Sequence, residues 1–237
     1  MADTLTIRLY SLMVNTGFAP CRFAHSSNGY RSTALVTLAN CMADMRRVVK
    51  KGEWVAGVTP NRMTNRLAYL MRVDGVYPRD MYWKKFEGSR IDCVYRPNPR
   101  APHGFDQLRN PWHGAEEKRR DMKSNQVLWS KTFFWFAQSY DCDSKAPHGL
   151  ALPSKYGALR RSHRSRYGMF VKVPRHFLDW VARQPRLQTF KVIDNFGAET
   201  RCGQCVSSSI LSHPPWSPGR AHHSTGKGTW EVSRRIS

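Results

Sequence analysis

"KKGEWVAGVTPNRMTNRLAYLMRVDG", residues 50–75, holds two apolar runs on either side of a polar break. Two apolar runs, EWVAGV at 53–58 and RLAYLMRV at 66–73, carry the branched and aromatic residues that suit a pleated surface. Between them lies a polar break holding a proline and an arginine, the composition of a turn. The pattern predicts the two strands of a hairpin, opened by Trp54 and flanked by Lys and Arg.

Immediately upstream, CMADMRRVVKKG (41–52) has helical spacing. Met42, Met45, Val48 and Val49 recur at intervals of three and four and so share one face. Arg46, Arg47, Lys50 and Lys51 then fall opposite, with Asn40 at the N-cap and Gly52 as the stop. Such a helix either lays a basic stripe along phosphates or is an ordinary amphipathic helix with a solvated face.

Further out, IRLYSLMV (7–14) and TALVTLANC (33–41) are apolar runs, the first a predicted strand, and NTGFAP (15–20) begins a loop. Residues 76–97 interleave aromatics with cations and predict a short helix or an irregular arm. Residues 98–117 are rich in Pro and Gly and predict a long loop. NQVLWSKTFFWFAQ (125–138) predicts one or two central strands. MFVKV (169–173) predicts a strand, PRHFLDWVARQP (174–185) a helix and LQTFKVIDNFG (187–197) a last strand and turn. The sum is one α+β domain over 1–197: a curved, mainly antiparallel sheet or open barrel with peripheral helices. Residues 198–237 are rich in Ser, Pro, Gly and His without periodicity, and predict a disordered basic tail.

The 237 residues are 41% hydrophobic and 12% aromatic, a globular composition. No run approaches the length of a membrane span, and the amino terminus lacks the pattern of a secretory signal. Six cysteines, four scattered and the last two a close pair, then read as reduced thiols in a cytoplasmic protein. Thirty-eight Lys and Arg against seventeen Asp and Glu give a net charge of +21. That excess favours a polyanionic partner, DNA or a nucleotide; the alternative is a basic surface that meets an acidic protein.

Chemistry is less legible. Cys202 and Cys205 form a C-x2-C with His213, His222 and His223 downstream, but no second pair completes a zinc pattern. Glu116, Glu117, Asp121, Asp141, Asp143 and Asp194 have no spacing that demands a metal. Neither a phosphate-cradling Gly-rich loop nor a dinucleotide fingerprint is present, so no cofactor is assigned. Cys41 precedes a helix, a position that favours a thiolate, though a buried structural cysteine is the alternative. RRSHRSRYG (160–168) offers phosphate donors and a titratable His163, or else a solvated loop. Aromatics among cations can stack a base, and most of the rings must also build the core.

Several pieces resemble one known family when taken in order. YSLMVNTGFAPCRF, TLANCMADMRRVVKKGEWVAG, NRLAYLMRV, MYW, VLWSKTFFWF and RSHRS together resemble the nucleotide modification associated domain, second type, over roughly residues 8–170. The resemblance implies a link to DNA base-modification systems of phages and bacteria. This chain departs from the family pattern at CRFAHSSNGYRS, at Met42-Ala43 and at Glu53. The Gly-x-Trp strand and its partner also look like the central hairpin of small PUA-like barrels, on which modified-base readers are built. That analogy puts Trp54 near the mouth of a curved sheet, beside the basic helix.

Two roles follow as expectations. In a binding protein, Arg46, Arg47, Lys50, Lys51, Arg160, Arg161 and Arg164 contact phosphates, while Trp54, Trp83 and Trp135 wall a base pocket. In an enzyme acting on a base or nucleotide, Asn15, Cys41, Tyr82, Ser130 and His163 are the polar groups nearest the recognised motifs.

Overall fold

The computed structural model describes residues 4–12, 15–27, 29–108, 113–140, 145–160 and 169–186. In chain order the strands are β1 (Thr4–Ser11), β2 (Cys21–Ser26), β3 (Gly29–Leu38), β4 (Trp54–Val58), β5 (Leu67–Arg72), β6 (Gly75–Pro78), β7 (Tyr95–Pro97), β8 (Phe105–Gln107), β9 (Gln126–Ser130), β10 (Phe133–Trp135) and β11 (Met169–Pro174). The helices are α1 (Ala43–Val48), α2 (Arg79–Phe86), α3 (Ala115–Asp121) and α4 (His176–Ala182).

The stretch at 50–75 does form a hairpin, with Trp54 opposite Arg72 and Ala56 opposite Leu70. It is the centre of a five-stranded sheet ordered β10-β5-β4-β1-β11. A second sheet is ordered β2-β3-β9-β6, and β7 pairs with β8. Among the described residues β1 with β4 is the parallel pair, and the other ladders are antiparallel. The architecture is α+β, and the described sheets do not close into a barrel.

All five residues of β4 are buried, because both faces of its sheet are covered. On one face Leu5, Ile7, Leu9, Trp54, Ala56, Val58, Leu70 and Phe134 pack under Tyr156, Leu159, Phe177 and Val181. On the other, Tyr10, Val55, Tyr69, Met71 and Trp135 meet Val36, Leu38 and Leu128 of the second sheet. Burying these two layers is the main favourable term in folding. Beyond the second sheet, Tyr82 of α2 packs with Ala39, Cys93 and Val127.

Three departures from the sequence reading have physical causes. The segment after GFAP is a strand, β2, in a hairpin with the ten-residue β3. Its exposed positions, such as Arg31 and Ser32, break the apolar signal. The Pro- and Gly-rich segment ends in α3, where the N-cap residue Gly114 donates its N–H to the Glu117 carboxylate at 3.0 Å. Finally, α1 is rotated relative to its apolar pattern: Arg46 is fully buried and Val48 is 42% exposed. Lys50 and Lys51 lie beyond its end. No helix among the described residues is long and apolar enough to cross a membrane.

Candidate active site

The chain leaves β3 through Ala39 and Asn40 and enters α1 by an unusual turn. Cys41 has φ 59° and Met42 φ 46°, both in the left-handed region. Such positions cost about 1–3 kcal/mol each for residues with a Cβ and persist only where the surroundings enforce them. Two buried guanidinium groups do so here. Arg46 donates from Nε to Cys41 O at 2.8 Å and from Nη2 to Asp121 O at 3.1 Å, and it also donates to Gln126 O. Arg79 donates to Ala39 O at 2.8 Å and to Asn40 Oδ1 at 3.3 Å. Together they clamp the turn against the end of α3.

The clamp leaves the Cys41 thiol exposed. Its sulfur lies 3.3 Å from His113 Nε2, and His113 Nδ1 lies 2.9 Å from Asp121 Oδ2. Asp121 also accepts from Cys41 N at 2.6 Å and from Tyr95 OH at 2.9 Å. Phe18, from the GFAP turn, sets its ring edge-on to His113 at 4.9 Å between centroids. A thiol, an imidazole and a carboxylate therefore stand in a row. Cys41 is an exposed residue, while His113 and Asp121 are buried.

The charges in this row are coupled. Burial on its own would lower the His113 pKa, but the Cys41 sulfur and the Asp121 carboxylate outweigh it and push it up to about 10. Burial would raise Asp121, and His113, Arg46 and Arg79 instead hold it below the usual carboxylate value. Both shifts run towards an imidazolium paired with the Asp121 carboxylate, with Nε2 facing sulfur.

A second polar network lies close by and is wholly buried. Asp92 accepts from Thr37 Oγ1 at 2.6 Å and from Tyr82 OH at 2.7 Å. Arg90 donates to Tyr82 OH at 3.0 Å and to Cys21 O at 2.9 Å. Asn40 joins the two networks by donating to Asp92 O at 2.8 Å. With its partners satisfied internally, this network ties α2 to β3.

An α+β scaffold with one exposed thiol facing a buried imidazole–carboxylate pair is what the described residues present. The chain matches the family described as nucleotide modification associated domain 2 over residues 4–151, more than half its length, and belongs to that family. Membership links it to nucleotide modification. No curated protein and no solved structure gives a significant match. Cys41, His113 and Asp121 all fall within the matched span.

Of the polar residues singled out from sequence, Asn15, Cys41, Tyr82 and Ser130 are described, and among these Cys41 alone enters this row. Asn15 is buried and donates to Gln138 O at 3.0 Å, and Tyr82 sits in the Asp92 network. Ser130 holds a turn by donating to Thr132 O at 2.8 Å. Among the expected phosphate ligands, Arg46 is buried, while Arg47, Lys50, Lys51 and Arg160 are exposed. Trp54, Trp135 and Trp83 belong to three separate apolar clusters and do not share a pocket. Arg161, His163, Arg164, Cys202, Cys205 and the tail from 198 lie outside the described residues. No cluster of three or more His, Cys, Asp or Glu suited to a metal occurs among the described residues. His113 and Asp121 escaped the sequence reading because one lay in an apparent loop and the other was weighed only as a metal ligand. The usable signal was a histidine immediately before an acidic helix start, HGAEE.

Proposed function

We propose that this protein is a thiol-dependent enzyme of nucleotide modification, with Cys41 as its nucleophile. The observation that carries the reading is the row from Cys41 Sγ through His113 to Asp121, at 3.3 Å and 2.9 Å. A positioned base that is itself oriented by a third group is the arrangement that activates a weak nucleophile. In this reading His113 holds the proton taken from Cys41, and the thiolate adds to an electrophilic carbon of a base, a nucleotide or a precursor of the modifying group. His113 then returns that proton to the departing or newly anionic atom, and Asp121 keeps the imidazole in orientation throughout. The left-handed backbone at Cys41 and Met42 supports the same reading, since the enforced turn accompanies a sulfur set 3.3 Å from His113 Nε2.

The test has two readouts. Limiting iodoacetamide followed by peptide mapping should label Cys41 ahead of the buried Cys21 and Cys93, and His113→Ala should slow that labelling by about 10-fold or more. Incubation with nucleotides and with DNA, followed by mass spectrometry of the digested bases, should give a product that Cys41→Ser abolishes. A product that survives Cys41→Ser, or equal labelling rates with and without His113, would overturn the assignment.

A further inference from the structure

A second site lies on the other face of the central sheet. Trp54 and Arg72 are cross-strand partners, so their side chains share a face. There they line a cavity of about 310 Å³ with Leu5, Gly52, Arg175 and Leu178. The wall thus combines one indole, two aliphatic side chains and two guanidinium groups, with no acidic side chain. Phe134 stacks on Trp54, with ring centroids 6.4 Å apart and planes at 24°, and Arg186 lies 4.5 Å from the Phe134 ring centre. The Arg72 guanidinium makes no hydrogen bond or ion pair with a described residue.

We propose that this cleft binds one nucleotide unit, its base against Trp54 and its phosphate between Arg72 and Arg175. The volume is at the lower end of ligand pockets, about 300–1,000 Å³, which suits a single nucleotide and excludes a duplex. Guanidinium groups pair with phosphate oxygens through two parallel N–H donors, and Trp54, 7% exposed, offers the base an edge rather than an open face. Gly52, at φ 90°, turns the chain along the rim.

The cleft is distinct from the Cys41 row. Trp54 pairs with Ile7 on β1, whereas Tyr10, three residues further along, packs with Met45 of α1, the helix that follows Cys41. Trp54 and Tyr10 also pack into different clusters, on opposite faces of the sheet. Arg175 and Leu178 lie beyond the span matched to the family, so the site requires the chain after residue 151. The proposal stands whether or not Cys41 is a nucleophile.

Isothermal titration of the full chain tests it with four probes: a deoxynucleoside 5′-monophosphate, its nucleoside, inorganic phosphate and a short single-stranded oligodeoxynucleotide. The monophosphate should bind more tightly than either the nucleoside or phosphate alone. Arg72→Glu and Arg175→Glu should each weaken it about 10-fold, the scale of a lost charge-assisted hydrogen bond. Cys41 labelling should stay at the wild-type rate in both, which separates this site from the thiol row. If either charge reversal fails to fold, Arg72→Gln supplies the same reading with less perturbation. A variant-sensitive affinity greater for the oligonucleotide than for the monophosphate identifies a strand as the source of the nucleotide, and equal affinities identify a free one. Phosphate binding as tightly as the monophosphate, or binding of every probe unchanged by the Arg72 and Arg175 variants, would sink the proposal.

Discussion

His113 is where burial and charge oppose each other most directly. Its folded pKa, pushed up to about 10, stands above the ordinary histidine value of 6.5. The imidazolium therefore contributes stability that is fully present below about pH 6.5 and is lost as pH rises towards 10. Asp121, held low, contributes stability that is present above its unfolded value and disappears as pH falls through the folded one. Urea unfolding at pH 6 and pH 9 should show wild type losing stability over that interval, and His113→Gln losing clearly less. Equal losses would mean that the raised pKa is not realised. Above pH 10 the comparison is blurred, because burial also raises Tyr10, Tyr69 and Tyr95, whose ionisation favours the unfolded chain. The pairing behind this prediction was half legible. Cys41 stood out by its place before a helix, whereas its partners come from 72 and 80 residues further along and carry no mark of proximity.

Among the elements, β4 shows how a weak strand former is held. Gly57 pairs with Tyr69, and a Cβ at Gly57 would lie 2.3 Å from the Tyr69 ring. The ring occupies the space over the glycine and donates its hydroxyl to Tyr10 at 2.5 Å, with Trp135 at 6.0 Å between centroids. The second sheet repeats the device, with the Trp129 indole over Gly75. Tyr69 is 1% exposed and has nowhere to move, so Gly57→Ala should destabilise by about 1–3 kcal/mol through overpacking. Chemical denaturation measures it, and an unchanged midpoint would show that the ring can yield. The continuous apolar runs of β4 and β5 made these strands readable from sequence. The strand β2 was not, since the hairpin it forms carries a half-exposed edge whose side chains resemble a loop. The faces of α1 were misread for another reason: its pattern is apolar on one side, but Arg46 finds enough carbonyl acceptors to be buried.

At the scale of the molecule, +21 is an unbalanced charge, and like charges repel more in the compact chain than in the expanded one. Moderate salt screens that repulsion over about 10 Å. The melting temperature should therefore rise between low and moderate ionic strength, and a fall would show that ion pairs such as Arg8 with Glu53 (3.3 Å) outweigh the repulsion. The same charge draws polyanions to the surface but does not select where they bind.

What the sequence determined by itself is local or summed: the α+β class, the central hairpin, the family and the sign of the field. Propensity, periodicity and charge act over a few residues or over the whole chain, so they survive without coordinates. Tertiary structure decided which residues meet. It carried NQVLWSKTFFWF through a turn at Ser130 and Thr132 so that β9 and β10 entered different sheets. It buried Arg46 and Arg79 to hold a left-handed turn, and it brought His113 and Asp121 to Cys41. Each of those outcomes depends on long-range packing that places a donor beside an acceptor in a dry interior, where an unpaired polar group is costly. No short window of sequence contains both halves of such a pair.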